Sequence, residues 1–545
     1  MRRSLVCAAA AAVLLLSVGS AEAAAPRVAM FGMRVPHSAT ARAASGAILT
    51  RALTAPQRFD MVGADWSGGP AKVWLRGRRE GGRWSRWVQL DAAEEPLAHG
   101  AGTEPIWAGG FRVVQLRAEH PLPGLRLSFV RVQRQASASR APRTIPVQLP
   151  PPAGGTMQVV PRAAWGASRC KPRATAGYGQ VDFAIVHHTD SLNGYTRSDS
   201  PAMVLGICLF HRNVNHWNDI GYNLLVDKYG QVFEGRAGGL DAQVIGAQAG
   251  GFNAWSTGVA TLGSFGSTRF SGAGINALAH VLAWKLSLNG VPAVGTTSVI
   301  SDGGPFTPFR AGAHVTVNRI SGHRDVDSTA CPGNALYAQL PALRRLVASM
   351  EGPVSQLSLA TRAATLTYPQ PLVLSGTLAE SPGLSTPPGA TVEIQDSLAA
   401  GGRTLAAVPL ADGVFGASLP IAHNDVVRAV FVGGGALPRV VSTPIVVTVV
   451  PVLTMRASAP AVPAASAVTL TGTVAPAKRR LLVVEQRLRR GKYQRVRQIR
   501  VGARAGAFSL NVRLPKAGAY RFIARSPADR LTAAGASLPV QVAVG

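Results

Sequence analysis

Short stretches in the first quarter of the chain alternate apolar and polar positions. Residues 71–78, 84–90 and 111–118 show this pattern, with Arg at many of the polar positions and glycine pairs nearby. A period of two residues is typical of strands that bury one face. We therefore predict a β-rich, sandwich-like domain over residues 27–135.

Three tryptophans in this segment, Trp74, Trp84 and Trp87, allow two interpretations. They could stack on sugar rings, or they could be core and rim aromatics of the sandwich. The second role is the commoner one for such residues, so we favour it.

Residues 136–156 are rich in Ser, Ala, Pro and Gly, a composition that predicts a linker. The pattern of apolar and polar positions changes after it. Strand and helix patterns are mixed over residues 157–350, unlike elsewhere in the chain. The predicted elements are an apolar strand at 181–188, a hairpin around Gly230, and helices that begin at Ser200 and cover 275–290 and 334–350. We predict an α/β domain with a mixed sheet and packed helices.

The last third of the chain repeats a strand pattern. The matching stretches are 373–380 with 469–476, and 413–421 with 506–515. The offset is about a hundred residues in both cases, so we predict two β-sandwich modules, 355–450 and 451–545.

The start of the chain has the features of a secretion signal. Arg2 and Arg3 precede a short apolar run from Leu5 to Val18, and Ala21-Glu22-Ala23 fits a small-x-small cleavage site. We expect residues 1–23 to be a signal peptide and the protein to be exported. No later stretch of the sequence is apolar enough to predict a transmembrane segment.

The formal net charge of +29 indicates an anionic partner. For an exported protein, anionic wall polymers or a membrane surface fit this charge, and no nucleic-acid-binding motif is present in the sequence. Residues 482–500 carry many Arg and a single Glu. A strand face with this many arginines could bind phosphate or carboxylate polymers, or it could simply be solvated.

The cysteines are odd in number once the signal is removed. Cys7 lies in the signal, which leaves Cys170, Cys208 and Cys331. One disulfide takes two of them, so the third needs a metal or a reactive thiol to explain it.

His187, His323 and Cys331 carry ligand types that bind zinc. Three protein ligands would leave a fourth position open for water, whose pKa zinc lowers toward about 7. This assignment leaves Cys170 and Cys208 for a disulfide. Taken singly, a His near a strand end is more often a hydrogen-bonded structural residue, and a lone Cys is more often buried and inert. No CxxC or HExxH spacing is present.

Six motifs in a fixed order carry a family resemblance. They are VHHT at 186–189, WNDIGYN at 217–223, EGR at 234–236, VIGAQAGGFN at 244–253, STGVA at 256–260, and GHRD with TACPG between 322 and 333. Together they resemble the zinc amidases of the peptidoglycan-recognition-protein superfamily, the type 2 N-acetylmuramoyl-L-alanine amidases. The resemblance covers about residues 157–350, and the flanking β modules look like those of large exported wall amidases of high-GC Gram-positive bacteria.

The resemblance implies roles for individual residues. His187, His323 and Cys331 would be the zinc ligands. Tyr222 would lie beside the metal-bound water and take part in catalysis, and Thr329 would lie near the developing oxyanion. We hypothesise that the Tyr222 hydroxyl orients the water, although a packing role for this residue is the alternative.

The resemblance also indicates a peptide-binding groove. By analogy, His188, His211, Trp217 and Asn253 would line it, although each could equally be structural. One departure is Gln248, where the family commonly has a histidine that can be protonated. This puts substrate preference or strength of activity in question.

Three acidic residues near the motifs could support the site without taking part in the reaction. Asp219 is expected to brace the loop before Tyr222, while Asp325 and Asp327 could orient a ligand or be solvated.

The function expected from these features is zinc-dependent hydrolysis of the amide between N-acetylmuramic acid and L-alanine in peptidoglycan, by a secreted, cell-wall-associated enzyme. A non-catalytic peptidoglycan-binding protein is the main alternative, and the presence of Cys331 argues against it. A structural or adhesive wall protein is a second alternative. A glycosidase is disfavoured because no pair of carboxylates stands out in residues 157–350.

Overall fold

The computed structural model describes residues 27–42, 46–93, 100–133, 142–352, 354–380, 385–397, 402–434 and 437–545. The predicted signal peptide and residues 136–141 of the predicted linker lie outside the described residues. No helix in these ranges combines the length and apolar character needed to cross a bilayer.

The N-terminal region folds into β-structure, as its alternating pattern predicts. Its strands are β1 (Arg27–Arg34), β2 (Thr40–Arg42), β3 (Ile48–Thr50), β4 (Leu53–Trp66), β5 (Val73–Arg78), β6 (Val88–Leu90), β7 (Ala101–Gly102), β8 (Ile106–Ala118) and β9 (Arg126–Gln133). They join in the order β1-β9-β4-β8-β3-β2, with β5, β6 and β7 attached at the sides. The two longest strands, β4 and β8, therefore lie side by side at the centre of this sheet.

The alternation along β5 separates core from surface. Val73 and Leu75 are at most 1% exposed, whereas Trp74 and Arg76, which alternate with them, are partly exposed. On that outer face the Arg76 guanidinium lies 4.9 Å from the Trp84 ring centre and 4.7 Å from that of Trp87. The tryptophans singled out from the sequence thus stack with arginines on the sheet surface. Their binding of sugar stays a prediction.

Residues 145–350 form the central α/β domain. Its elements are β10 (Ile145–Gln148), β11 (Thr156–Val160), α1 (Arg162–Trp165), β12 (Phe183–His188), α2 (Ser200–Asn213), β13 (Leu224–Val226), β14 (Val232–Glu234), β15 (Ser256–Thr261), α3 (Gly272–Leu288), β16 (Thr296–Ile300), β17 (His314–Asn318), β18 (Ile320–Gly322), α4 (Asn334–Tyr337) and α5 (Leu340–Met350). The sheet order is β10-β11-β14-β13-β15-β12-β18, with β12 parallel to both its neighbours and β13 antiparallel to β14. The predicted mixed sheet with packed helices is present.

Helices cover both faces of this sheet. Helices α3 and α5 pack on one face, where Leu282 and Val347 join Val186 of β12 in one apolar cluster. Helix α2 packs on the other face, where Phe210 meets Phe233 of β14. Strand β12 is buried along its whole length as a result, which accounts for its continuous apolar sequence.

Most local elements of this domain follow the sequence signals. The hairpin of β13 and β14 is confirmed, and α3 begins after Ser271, whose side chain accepts the Gly274 N–H. The predicted helix over 334–350 is divided into α4 and α5. Pro341 lies in the first turn of α5, where its missing N–H costs nothing.

The second half of the predicted linker is corrected by the structure. Residues 145–148 form β10, which pairs antiparallel with β11 and extends the central sheet. Leu149, directly after the strand, is 6% exposed and joins the core of the central domain. The proline-rich composition hid a short alternating apolar pattern at Ile145, Val147 and Leu149.

The C-terminal part of the chain is composed of strands in its described residues. The first group is β19 (Gln356–Leu357), β20 (Ala360–Thr361), β21 (Thr365–Thr367), β22 (Leu372–Ala379), β23 (Thr391–Asp396), β24 (Arg403–Pro409), β25 (Val414–Leu419), β26 (Asp425–Phe431), β27 (Val440–Val441) and β28 (Ile445–Val450). The second group is β29 (Val452–Ala457), β30 (Ala461–Val462), β31 (Ala467–Ala475), β32 (Arg480–Arg489), β33 (Lys492–Arg504), β34 (Ala507–Arg513), β35 (Gly518–Ser526), β36 (Gly535–Ala536) and β37 (Val540–Val544).

The two groups share a pairing scheme. In the first group β22 pairs antiparallel with β25, and in the second β31 pairs antiparallel with β34. These are the strands that carry the repeated stretches. In the first group, Leu374 of β22 and Val447 of β28 belong to different sheets but share one apolar cluster. Two sheets around one core is the arrangement expected of a sandwich.

An ion pair fixes the first C-terminal group to the central domain. The Arg428 guanidinium contacts both carboxylate oxygens of Asp241, at 2.7 and 3.0 Å, and Arg439 contacts the second oxygen at 2.9 Å. Burial alone would raise the pKa of Asp241, but the two arginines lower it to about 2. The charged carboxylate therefore stabilises the contact between these two parts of the protein.

We expect Asp241→Asn to destabilise the folded protein by about 3 kcal/mol, because it leaves the 3% exposed Arg428 without its counter-ion. The folded pKa of Asp241 lies below its unfolded value of about 3.9. Its contribution is therefore present above about pH 4 and is lost as the pH falls toward 2.

Thermal unfolding midpoints between pH 7 and pH 3 test this expectation. Asp302→Asn, which changes an exposed carboxylate of the same domain, is the matched control. The difference between wild type and Asp241→Asn should be constant from pH 7 to about pH 4 and shrink as the pH falls further. Equal midpoints at pH 7 would contradict it.

Candidate metal centre

Two neighbouring parallel strands deliver two of the predicted ligands to one place. Val186 of β12 lies opposite Gly322 of β18, so His187 and His323 follow from the same level of the sheet. His187 is fully buried and His323 is 3% exposed. The two ring centres are 4.5 Å apart.

A tight loop after β18 returns the third predicted ligand to the same place. The Asp327 N–H donates to the His323 carbonyl at 3.0 Å, and the Arg324 N–H donates to the Cys331 carbonyl at 3.0 Å. These bonds close the loop on itself, and Cys331 is 2% exposed. Its Sγ lies 3.7 Å from Nδ1 of His187.

These three residues fit a zinc ion. One ligand atom from each of His187, His323 and Cys331 lies within 4.8 Å of the other two. Two imidazole nitrogens and one thiolate sulfur are a donor set that zinc accepts, and three protein ligands leave a coordination position open. The sequence prediction of the ligand set is therefore consistent with the geometry.

Outer hydrogen bonds fix both imidazole rings. The Nε2–H of His187 donates to Oε1 of Gln248, and the Nε2–H of His323 donates to Oδ2 of Asp327 at 2.9 Å. Each ring thereby keeps Nδ1 as its lone-pair nitrogen. Bonds of this kind orient metal-ligating histidines and set their tautomer.

Gln248 has a role that the sequence did not reveal. The sequence shows it only as a departure from the family motif, but the structure places it, fully buried, behind His187. Its amide nitrogen donates to Oγ of Ser256 at 2.9 Å, which fixes the oxygen toward the imidazole. A neutral amide can serve here because the ring needs only an acceptor.

Burial keeps His187 in its neutral form. Loss of solvent, reinforced by the nearby His323 ring, holds the pKa of His187 well below its ordinary value. A neutral imidazole is the form that binds a metal, so the surroundings favour ligation at neutral pH.

Tyr222 and Thr329 lie next to the three ligands. The Tyr222 ring centre is 5.3 Å from that of His187, and the residue is 3% exposed. The Thr329 hydroxyl accepts the Cys331 N–H at 3.1 Å, and this residue is partly exposed. The structure thus brings both predicted catalytic residues to the centre.

The residues predicted to line a peptide groove are mostly buried. His188, His211 and Trp217 are at most 5% exposed, and the Trp217 ring lies 4.5 Å from that of His211. Asn253 is partly exposed, and its side-chain oxygen accepts the Gln248 N–H at 2.8 Å. Their contact with a substrate stays a prediction.

Two histidines of this set contact carboxylates of the N-terminal sheet. Nε2 of His188 lies 3.0 Å from Oδ2 of Asp91, and Nε2 of His211 lies 2.7 Å from Oε2 of Glu104. Burial alone would lower the pKa of His188, but the Asp91 hydrogen bond and the nearby acidic charges raise it overall. No sequence pattern pointed to either carboxylate.

The remaining acidic residues near the motifs are structural. Asp219 accepts from Arg162 at 3.1 Å and from the Ala237 N–H at 2.8 Å, so it braces the loop before Tyr222 as expected. Asp325 accepts the Gly322 N–H at 2.9 Å, which caps the turn that carries His323.

The disulfide prediction is confirmed. Cys170 and Cys208 are bonded and tie the start of the central domain to helix α2. Among the described cysteines, Cys331 alone lies outside a disulfide. The cysteine outside the disulfide is therefore the one that lies beside His187 and His323.

Two family models match the chain. The N-acetylmuramoyl-L-alanine amidase model matches residues 177–334, which contain all the centre's residues. A model described as Rv3811 N-terminal galactose-binding domain-like matches residues 22–147.

Curated relatives match the central domain. Peptidoglycan-recognition protein SC2 of Drosophila melanogaster is 26% identical over 182 residues, which is 33% of this chain and 84% of the relative. The N-acetylmuramoyl-L-alanine amidase of Mus musculus is 28% identical over 185 residues, 34% of this chain and 30% of the relative. Among solved structures, wild-type Drosophila PGRP-LB aligns with 24% identity and a TM-score of 0.27, covering 34% of this chain and 92% of that one.

The ordered motifs, the amidase family model and the curated relatives all point to the same part of the chain. The central domain of this chain, matched over residues 177–334, belongs to the superfamily of type 2 N-acetylmuramoyl-L-alanine amidases and peptidoglycan-recognition proteins.

Proposed function

We propose that this protein is a zinc-dependent N-acetylmuramoyl-L-alanine amidase, exported to act on the cell wall. It would hydrolyse the amide between the lactyl group of N-acetylmuramic acid and L-alanine, releasing the stem peptide from the glycan. The observation that carries this proposal is the convergence of His187, His323 and Cys331 within 4.8 Å. A thiolate in this set favours metal binding over mere recognition of the substrate.

Each residue of the centre has a chemical task. Bound zinc would supply a Lewis acid and lower the pKa of a water molecule at its open position. Gln248 and Asp327 hold the two imidazoles in the orientation that ligation needs. The Tyr222 hydroxyl would orient the attacking water and donate a hydrogen bond to the carbonyl oxygen as negative charge develops there.

Thr329 would assist at the same oxygen. Its hydroxyl already accepts the Cys331 N–H, so its own proton points away from that bond and can be donated. Water then adds across the amide, and the products are the lactyl carboxylate and the free amino group of L-alanine. That amino group is the signature by which turnover can be recognised.

The last module supports a proposal about retention on the wall. Arg479, Arg480 and Arg500 line a surface cleft of about 570 Å³ on strands β32 and β33. Arg500 and Arg525 lie on either side of Leu482 in the strand register, so they share one sheet face. Guanidinium groups in such an array match the phosphates or carboxylates of anionic wall polymers.

We expect purified peptidoglycan digested with the protein to acquire free L-alanine amino termini, detected by mass spectrometry. Cys331→Ser and removal of metal by a chelator should each abolish them, because the donor set is then incomplete. Ser328→Ala, an exposed change in the same loop, should digest normally. If the metal-loaded wild type binds peptidoglycan but releases no such termini, the protein is a recognition protein instead.

Tyr222→Phe should retain fold and zinc and lose about a hundredfold in kcat, since the proton donor at the developing oxyanion is removed. Tyr178→Phe, which deletes a hydroxyl bonded to the Gly238 carbonyl, is the matched control and should stay near wild type. A Tyr222→Phe protein with normal kcat would show that this ring only packs.

Retention on the wall can be tested by removing charge. Replacing Arg479, Arg480 and Arg500 by Gln should weaken binding to polymer-bearing walls about tenfold and flatten its salt dependence. The control removes the same charge at exposed Arg42, Arg51 and Arg362. Equal weakening in both triple variants would mean that net charge, and not this cleft, retains the protein.

A further inference from the structure

A two-stranded arm of the N-terminal sheet reaches the metal centre. We define it as residues 91–93 and 102–104, in which Ala92 bridges Thr103 and the Glu104 N–H donates to the Asp91 carbonyl at 2.8 Å. The arm continues from β6 and β7, and β7 pairs with β4. It is therefore anchored in the body of the N-terminal sheet.

One carboxylate of the arm acts on the Cys331 side of the centre. Nδ1 of His188 accepts the Phe265 N–H at 3.3 Å, so Nε2 carries the proton and donates to Asp91 at 3.0 Å. The His188 backbone N–H in turn donates to Sγ of Cys331 at 3.3 Å. Ligand-type atoms of Asp91, His188 and Cys331 all lie within 4.8 Å of one another.

The other carboxylate acts on the Tyr222 side. Nε2 of His211 donates to Glu104 at 2.7 Å, while Nδ1 accepts the N–H of Gly221 at 3.0 Å. Tyr222 is the next residue, and its ring centre lies 5.7 Å from that of His211. Glu104 thus fixes the ring that accepts the N–H of Gly221, the residue directly before Tyr222.

The burial of Glu104 costs free energy. The residue is 6% exposed, and its Oε1 has no hydrogen-bond partner within the described parts of the chain. A buried carboxylate with one oxygen unpaired costs free energy that an apolar residue would not.

The N-terminal sheet from which the arm extends packs against the central domain. Met61, Trp107 and Val130 of the N-terminal sheet share one apolar cluster with Met203, Ile207 and Phe210 of α2. The Trp107 N–H also donates to Oγ of Ser191 at 3.1 Å. An apolar contact of this kind resembles a domain core more than a detachable lid.

We propose that Asp91 and Glu104 are positioning residues of the amidase centre, so that the catalytic unit comprises the N-terminal sheet as well as the central domain. Asp91 holds His188 beside Cys331, and Glu104 holds the His211 ring that accepts the Gly221 N–H directly before Tyr222. The proposal rests on the amidase function proposed above. It assigns the N-terminal sheet a part in the reaction itself, in addition to any binding of the wall.

Steady-state kinetics of Asp91→Asn and Glu104→Gln in the full chain test the proposal. Loss of an outer partner of this kind reduces activity about 10- to 100-fold. We expect that loss in kcat, because both carboxylates act through residues beside Cys331 and Tyr222, and a change confined to KM would overturn the proposal. Glu80→Gln, an exposed change in the same sheet, is the matched control.

A double-mutant cycle separates positioning from general loosening. If Glu104 acts through His211, then Glu104→Gln should cost no further turnover in a His211→Gln background. Additive losses would overturn that route. The two carboxylates contact different histidines, so a failure of either variant to fold leaves the other as an independent test.

A readout that needs no turnover comes from Cys331. In the metal-free protein, Asp91→Asn should increase the alkylation rate of Cys331, located by peptide mapping, because the His188 N–H that contacts Sγ at 3.3 Å is then held less firmly; Glu104→Gln should not. Unchanged kcat and alkylation would overturn the proposal, and increased turnover in either variant would identify the arm as an inhibitory cap. A wild type without turnover, but with faster alkylation in Asp91→Asn, would refute the amidase function and leave the hold on Cys331 intact.

Discussion

The parallel pairing of β12 with β18 is the constraint on which the site depends. This pairing sets His187 and His323 at one level of the sheet, although 135 intervening residues separate them in the chain. The loop from His323 to Cys331 then needs only a few backbone hydrogen bonds to return the thiol. A slip of this register would separate the imidazoles and leave no donor set.

The residues around the three proposed ligands bury them and orient the two imidazoles. Burial depresses the pKa of His187 and so favours the neutral ring, while Gln248 and Asp327 accept the protons on the far side of the two imidazoles. Space for Gln248 depends on Gly258, where a Cβ would lie 2.5 Å from the Gln248 side chain. The small residue in the STGVA motif thus has a steric reason.

The sequence predicted what local patterns and ordered motifs determine. The β13–β14 hairpin, helix α3 and the disulfide could be predicted, because each rests on residue type, periodicity or cysteine count. The ligand set rests on the ordered motifs and stays a prediction, with which the geometry is consistent. The strand at 145–148 was not predicted, since prolines and glycines masked its alternation. The contacts of Asp91 and Glu104 join residues 97 and 107 positions apart, from a segment with no motif, so only the assembled fold reveals them.

X-ray absorption at the zinc edge of the purified protein tests the central claim most directly. The account predicts one zinc per chain, with one sulfur at about 2.3 Å and two imidazole nitrogens at about 2.0–2.1 Å, and loss of the sulfur signal in Cys331→Ser. A zinc without sulfur in its coordination shell, or a protein that takes up no zinc, would contradict it.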